Sequence, residues 1–502
     1  MKQVKASREK RGRLPAARPT IGLLLDETIE PVAWAVWLGV SAVAGERGAN
    51  VICFVGRALH APGGRSQANA LYDLVNPENL DGLVVWGGGL AQYTDPEEIR
   101  ILCERYRPLP VVNAALPLEG IPSVTVDNFQ GMRDAIVHLI EVHGRRRIAF
   151  IRGPEGHSEA EERYRAYVST LADYGLPLDP DLIAPGAFSR PSGMAAISLL
   201  LDQRKVGFEA IVGVDDATAI GAMEALQARG VHIPGDVAVV GFDNEEDSWY
   251  VTPPLTTVAL LGYEQGRRAT EMVLALLQGE EVPEQVILPT EVMVRQSCGC
   301  LAPEVVQAAA GAITATTSET FETAFAARRE HILSEMVQVR GASDKGLDSG
   351  WAVQLLDAFA AELEGSSTGA FLTVLDNVLR QTDANNRMLW QGALSVLRHH
   401  ALSCLSDDKL LTRAEDLWQQ ARVMIGGAAE RARAYQASQM QRQAEALREV
   451  SRSLIALADR AELMDIMAQE LPRLGIPSCY LSLYEPSPEL APQPETVGAF
   501  SP

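Results

Sequence analysis

Clustered positive charge is what this 502-residue chain lacks most: 44 Lys and Arg stand against 65 Asp and Glu, a formal net charge of -21. Contacts to phosphate backbones need grouped Lys and Arg, so this balance excludes a general nucleic-acid binder. The exception is residues 1–19, where Lys2, Lys5, Arg8, Lys10, Arg11, Arg13 and Arg18 face one acid, Glu9. That stretch reads as a solvated, disordered arm. Pro15, Pro19 and the first strand leave no room for the apolar region of a secretory signal, and no apolar run reaches transmembrane length. Both absences point to the cytoplasm. Cysteine is scarce and scattered: Cys53, Cys103, Cys298, Cys300, Cys404 and Cys479 form no disulfide framework. Cys298 and Cys300 make a lone C-x-C with no His or second Cys pair nearby, so no metal site is expected. Catalytic signatures are missing as well: no G-x-S-x-G, no H-E-x-x-H and no P-loop. His399 and His400, adjacent on a helix, point in different directions, and His331 reads as a surface histidine. The chain is therefore expected to be neither an enzyme nor a cofactor carrier.

What is present is alternation. TIGLLLD, NVICFVG, GLVVW, LPVVN, PSVTVD, RIAFIRG, AIVGVDD and VAVVGFD read as β-branched strands between Thr20 and about Val294. Helical stretches at Pro31–Glu46, Asn128–His143, Ser158–Tyr174, Pro191–Leu201 and Ala217–Arg229 separate them. This order implies parallel sheets with right-handed crossovers, and ligand groups at the carboxyl ends of the strands. Asp127, Asn128 and Asp216 stand where helix N-caps belong.

The segment GDVAVVGFDNEEDSWYVTPPLTTV, Gly235 to Val258, closely resembles the signature of LacI/GalR-type effector-binding domains, relatives of periplasmic sugar-binding proteins. The resemblance covers roughly residues 20–300 and implies a two-lobed periplasmic-binding-protein-like α/β fold, with two parallel sheets and a cleft between them. It also implies a site for a sugar-like small molecule. Asp243, in GFDN, matches the ligand-contacting Asp. Arg163, in EERYRAY, matches an Arg able to clamp hydroxyls or a carboxylate. Asp215, in VGVDD, and Gln130, in VDNFQG, fall at positions where the family carries polar contacts. In the first lobe Asp26 begins the polar turn DETIEPVAW, in which Pro31 is kept. Glu27 and Glu30 add acid, and Val32 and Ala33 replace the Phe pair common in the family, leaving Trp34 or Trp86 as the stacking wall. Gly87, Gly88 and Gly89 form a flexible strand-end loop on the same cleft.

Family members usually carry a helix-turn-helix ahead of this domain. The 19 residues before the first strand hold no such motif, and this reading argues against direct DNA binding. Transport in the periplasm is excluded by the missing signal. VRQSCGC marks the domain's end. Residues 301–434 then read as an all-α module, and 435–461 as a coiled-coil helix with Met440, Leu447 and Leu454 seven apart, joined by Val450 and Leu457. Residues 462–502 resemble the opening helix and strand of a GAF domain, as in the sensory half of a histidine kinase or diguanylate cyclase. The expected whole is a homodimeric sensor that relays ligand binding through helices, with a DNA-binding regulator as the alternative.

Overall fold

The structure, a computed structural model, describes residues 18–26, 31–61, 65–302, 305–306, 308–309, 320–340, 350–382, 388–455, 460–474, 476, 479–484 and 494–500. The basic arm up to residue 17, Glu27, Glu30 and Leu457 lie outside them. The chain divides into two units, Met1–Pro303 and Glu304–Pro502.

In the first unit the strands are β1 (Thr20–Leu25), β2 (Asn50–Val55), β3 (Gly82–Trp86), β4 (Val111–Ala114), β5 (Ser123–Val126), β6 (Ile148–Ile151), β7 (Ile183–Ala184), β8 (Ala210–Gly213), β9 (Ala238–Val240), β10 (Thr257–Val258), β11 (Gln285–Leu288) and β12 (Val292–Met293). Its helices are α1 (Pro31–Arg47), α2 (Gly87–Leu90), α3 (Pro96–Arg105), α4 (Asn128–Glu141), α5 (Ser158–Asp173), α6 (Arg190–Ile197), α7 (Asp216–Gln227), α8 (Asp247–Tyr250) and α9 (Gly262–Leu277).

Two parallel sheets result. The first runs β11-β5-β4-β3-β1-β2 and the second β7-β6-β8-β9. Strands such as β3, GLVVW, are buried throughout because helices cover both faces of a parallel sheet. The two-lobed periplasmic-binding-protein-like fold is thus present, with every strand read from the sequence in place. Four further strands, β7, β10, β11 and β12, are too short or too polar in flank to announce themselves.

The lobes are joined by three segments. One leaves β5 for α4, one leads from β10 into α9, and one returns from β11 to β12. They are tied side by side: the Asp127 amide donates to the Leu288 carbonyl at 3.0 Å, the Thr290 hydroxyl to the Asp127 carbonyl at 3.1 Å, and the Ala259 amide to the Glu291 carbonyl at 2.9 Å. Such a bundle of parallel connections is a natural hinge.

The second unit contains α10 (Phe321–Arg340), α11 (Trp351–Leu363), α12 (Ala370–Gln381), α13 (Trp390–Leu402), the 48-residue α14 (Asp408–Ile455) and α15 (Arg460–Glu470). Phe325, Phe359, Phe371, Trp390 and Trp418 fill its core. A hairpin of β13 (Cys479–Tyr484) and β14 (Pro494–Phe500) follows. Helices dominate as read, but α14 runs across residue 434 without a break, so the last helix of the module and the expected coiled-coil segment are one element. Among the described residues, no helix is long and apolar enough to cross a membrane.

Candidate functional site

Each sheet changes direction once in its strand order, between β1 and β3 in the first and between β6 and β8 in the second. Side chains just past those strand ends therefore converge on the crevice where no helix covers the sheet. Asp26 follows β1, Trp86 ends β3, and Asp215 follows β8. With Arg163 from α5 and Asp243 from the turn after β9, they line one cavity of about 310 Å³. An outer chamber of about 550 Å³ shares Pro31, Val32, Asp243, Glu245 and Leu260 with it and adds Trp34.

Arg163 is the centre of the second-lobe wall. It is 2 % exposed. Its Nε donates to Asn128 Oδ1 at 2.9 Å and its Nη1 to the Val214 carbonyl at 2.9 Å, while the guanidinium lies 3.7 Å from the Phe242 ring centre. The fork is thereby fixed before any ligand arrives. Nη1 also lies 3.3 Å from Asp243 Oδ1, an oxygen that makes no hydrogen bond. Asp243 sits at φ 108, a conformation that costs a non-glycine residue and that persists where surrounding structure enforces it. Arg295 braces this turn from behind, donating to Asn244 Oδ1 at 2.5 Å and stacking 3.9 Å from the Trp249 ring. Burial pushes the Asp243 carboxyl well above its ordinary range, with Arg163 opposing the shift.

Asp215 has two duties. It lines the cavity and also caps α7, accepting from the Thr218 amide at 2.9 Å, and burial again raises its pKa. The cap expected at Asp216 belongs to Asp215 instead. Asp216 is wholly buried and holds the Asp243 turn, accepting from Thr257 Oγ1 at 2.5 Å and from the Glu245 amide at 2.8 Å. Asp127 does cap α4, accepting from the Gln130 amide at 2.9 Å, but Asn128 does not. Its amide bridges Arg163 and Glu159 Oε1.

Two expectations need correction, and a third, the alternative of Trp34 or Trp86, resolves into two places. Gln130 stays outside the cavity lining, because its side chain turns along α4 and donates to Asp134 Oδ1 at 2.7 Å on the exposed face. Gly87 to Gly89 form the short helix α2 rather than a flexible loop. They are glycines because the site is crowded: a Cβ on Gly89 would meet Asp26 Oδ1 at 2.3 Å. The two tryptophans also divide. Trp34 is 47 % exposed on α1 in the outer chamber, whereas Trp86 is 4 % exposed in the inner wall, and its indole N–H makes no hydrogen bond.

Sequence reasoning missed His157, Glu159 and Phe188, which also line the inner cavity. His157 caps α5, stacks edge-on against Phe188 with 4.9 Å between ring centres, and has its pKa lowered by burial. The available signal was position: His157 and Glu159 follow β6, one of the two strands flanking the switch. The inner lining carries five carboxylates, Asp26, Glu159, Asp215, Asp243 and Glu245, against one guanidinium. Among the described residues, the groupings of His, Cys and carboxylate able to share an ion lie outside this cleft.

Residues 136–298 match the model of a periplasmic binding protein-like domain. The chain is 30% identical over 283 residues to the HTH-type transcriptional repressor CytR of Escherichia coli K12, covering 56% of this chain and 80% of that protein. It is 31% identical over 289 residues to the HTH-type transcriptional regulator CelR of Thermobifida fusca, covering 55% of this chain and 81% of that one. A solved complex of the regulator CelR with cellobiose is 29% identical, with a TM-score of 0.49, over 57% of this chain and 86% of that chain. These relatives overturn the reading that argued against direct DNA binding, since they are helix-turn-helix transcriptional regulators by name, and their similarity to this chain runs through the effector domain. On the strength of that similarity and of the two-lobed fold, the chain belongs to the LacI/GalR family of transcriptional regulators.

Proposed function

We propose that the cleft binds a neutral, hydroxyl-rich small molecule, a sugar or related metabolite, and that binding controls transcription through DNA. The carrying observation is the pair of buried polar groups left without hydrogen bonds on one cavity wall and the other, Asp243 Oδ1 and the Trp86 indole N–H. Asp243 Oδ1 has the Arg163 ion pair at 3.3 Å but no hydrogen bond, and buried groups without hydrogen bonds are costly unless a ligand completes them. A ring hydroxyl donates to the carboxylate and accepts from the indole, so a polyol satisfies both. Five carboxylates against one Arg disfavour phosphorylated or carboxylated ligands. Because Asp26 and Trp86 come from one lobe and Arg163, Asp215 and Asp243 from the other, a ligand that touches both favours closure about the three-segment hinge.

The similarity to helix-turn-helix transcriptional regulators supports DNA as the output. A second reading concerns relay. Beyond Ala428 the long helix α14 exposes Tyr435, Met440 and Leu447 at 65%, 68% and 53%. That stripe supports a coiled-coil partner helix there, as in a signalling protein.

The test is a thermal-shift screen of sugars, nucleosides and polyols on the full chain, followed by selection of bound fragments from genomic DNA with and without the hit. A hit should raise the melting temperature of the wild type and leave Asp243→Ala unmoved, and it should change DNA recovery. Equal stabilisation of wild type and Asp243→Ala would sink the site assignment. DNA recovery indifferent to the hit would sink the regulatory output.

A further inference from the structure

The C-x-C pair that stands alone in the sequence is not alone in space. The end of α4 and the turn after it bring His138 and His143 against Cys298 and Cys300, close to the end of the first unit. His138 Nε2 lies 3.4 Å from Cys298 Sγ and 3.5 Å from Cys300 Sγ, and His143 Nε2 lies 3.3 Å from Cys300 Sγ. All four potential ligand atoms fall within 4.8 Å of one another. A tetrahedral zinc ion, with Zn–S near 2.3 Å and Zn–N near 2.0–2.1 Å, sets its S···N edges at about 3.5 Å. The three measured edges match that value. From this geometry we infer that His138, His143, Cys298 and Cys300 form a structural Cys2His2 zinc site.

The surroundings favour an ion over a chance contact. Gly299, between the two thiols, has φ 117, which lets the C-x-C turn present both sulfurs to one side, and a Cβ there would meet His143 Nδ1 at 3.0 Å. Both cysteines are free thiols, Cys298 being fully buried. Four protein ligands leave no open position, the mark of a structural rather than a catalytic site. Binding converts two thiols to thiolates, releases two protons and leaves a complex with no net charge. By contrast, His331, Glu335 and His400 also cluster, but there the His331 side chain is 73% exposed and a 2.7 Å bond from His400 to Glu335 accounts for the contact.

The site pins the exit of the effector domain to α4. The first residue of that helix, Asn128, holds Arg163 in the cleft. A ligand contact and the domain's last residues are thus carried by the two ends of one helix.

The test uses the purified full chain, kept reduced, with zinc measured by plasma mass spectrometry. About one zinc per chain is expected. Cys300→Ser and His143→Ala should lose most of it, while Cys53→Ser and Asp243→Ala should keep it all, so the outcome is independent of the cleft's ligand. Should the ligand variants fold poorly, wild-type protein stripped by a chelator is titrated with Co(II), and thiolate-to-cobalt charge-transfer absorption with tetrahedral bands is expected. The inference fails if the wild type neither retains zinc nor develops those bands, if the ligand variants hold as much zinc as the wild type, or if the purified reduced protein carries a Cys298–Cys300 disulfide.

Discussion

At the scale of single residues, the cleft is governed by buried carboxylates. Asp216 makes the clearest case, because desolvation lifts its pKa well above 3.8 while two donors hold it in place. A raised carboxyl pKa contributes stability that is fully present below the unfolded value and is lost as pH rises through the folded value. Asp216→Asn can still accept from the Glu245 amide and donate to Thr257 Oγ1. The variant should therefore gain in melting temperature relative to wild type as pH climbs from about 4 towards 7. A wild-type–variant difference that stayed flat across that range would show that Asp216 is not forced to ionise in a dry site. Asp216→Ala removes the acceptor of two buried donors and should cost about 1–3 kcal/mol in urea unfolding. Asp243 was legible because its motif sits at a strand end, whereas Arg163 lies within α5 and was legible only through the family resemblance. Gln130 was misread because a polar residue in the first turn of a helix looks the same whether it faces a ligand or its own helix. Only the direction of its side chain, along α4 to Asp134, separates the two.

At the scale of elements, close helix contacts carry the first lobe. α1 and α9 meet through glycines: a Cβ on Gly39 would lie 2.0 Å from the Tyr263 carbonyl, and one on Gly266 would lie 2.2 Å from the Val36 carbonyl. The obstacle is backbone in both cases, so no rotamer change relieves it. Gly39→Ala or Gly266→Ala should cost about 1–3 kcal/mol by overpacking, measured as a lower denaturation midpoint. α1 also carries Trp34 and Val32 into the outer chamber, and the same variants should weaken binding of a screened ligand. The long helix α14 behaves differently along its length. Trp418, Ala421 and Ile425 are buried in the second unit's core, while Met440 and Leu447 are exposed. Met440→Gln combined with Leu447→Gln should leave the unfolding temperature of an isolated chain unchanged, as seen by calorimetry at low concentration, because these side chains bury little within it. The heptad spacing of this stretch was plain in the sequence. Its continuity with the preceding helix was not, since helix boundaries need caps or breakers and residues 426–434 supply only Gly426 and Gly427, both absorbed in the helix.

At the scale of the whole molecule, the cleft draws every lining residue from the first unit. A fragment ending at Pro303 should therefore bind a ligand found with the full chain at a dissociation constant within about threefold, or about 0.6 kcal/mol, by calorimetry. A much weaker fragment would mean that the second unit completes the site.

By itself, the sequence determined the strand–helix alternation, the parallel sheets and the family, because local propensity, hydrophobic period and a contiguous motif are written in neighbouring residues. It also placed Asp26, Asp215 and Asp243 at strand ends, where a doubly wound sheet exposes ligand groups. The tertiary structure alone decided which of them share a cavity, that His157, Glu159 and Phe188 join them, and that Asp216 serves the turn rather than the cap. It also decided that Cys298 and Cys300 meet His138 and His143 across some 160 residues of chain. The physical reason is the same each time: convergence at a site is a property of crossovers and side-chain direction, and neither leaves a local mark in the sequence.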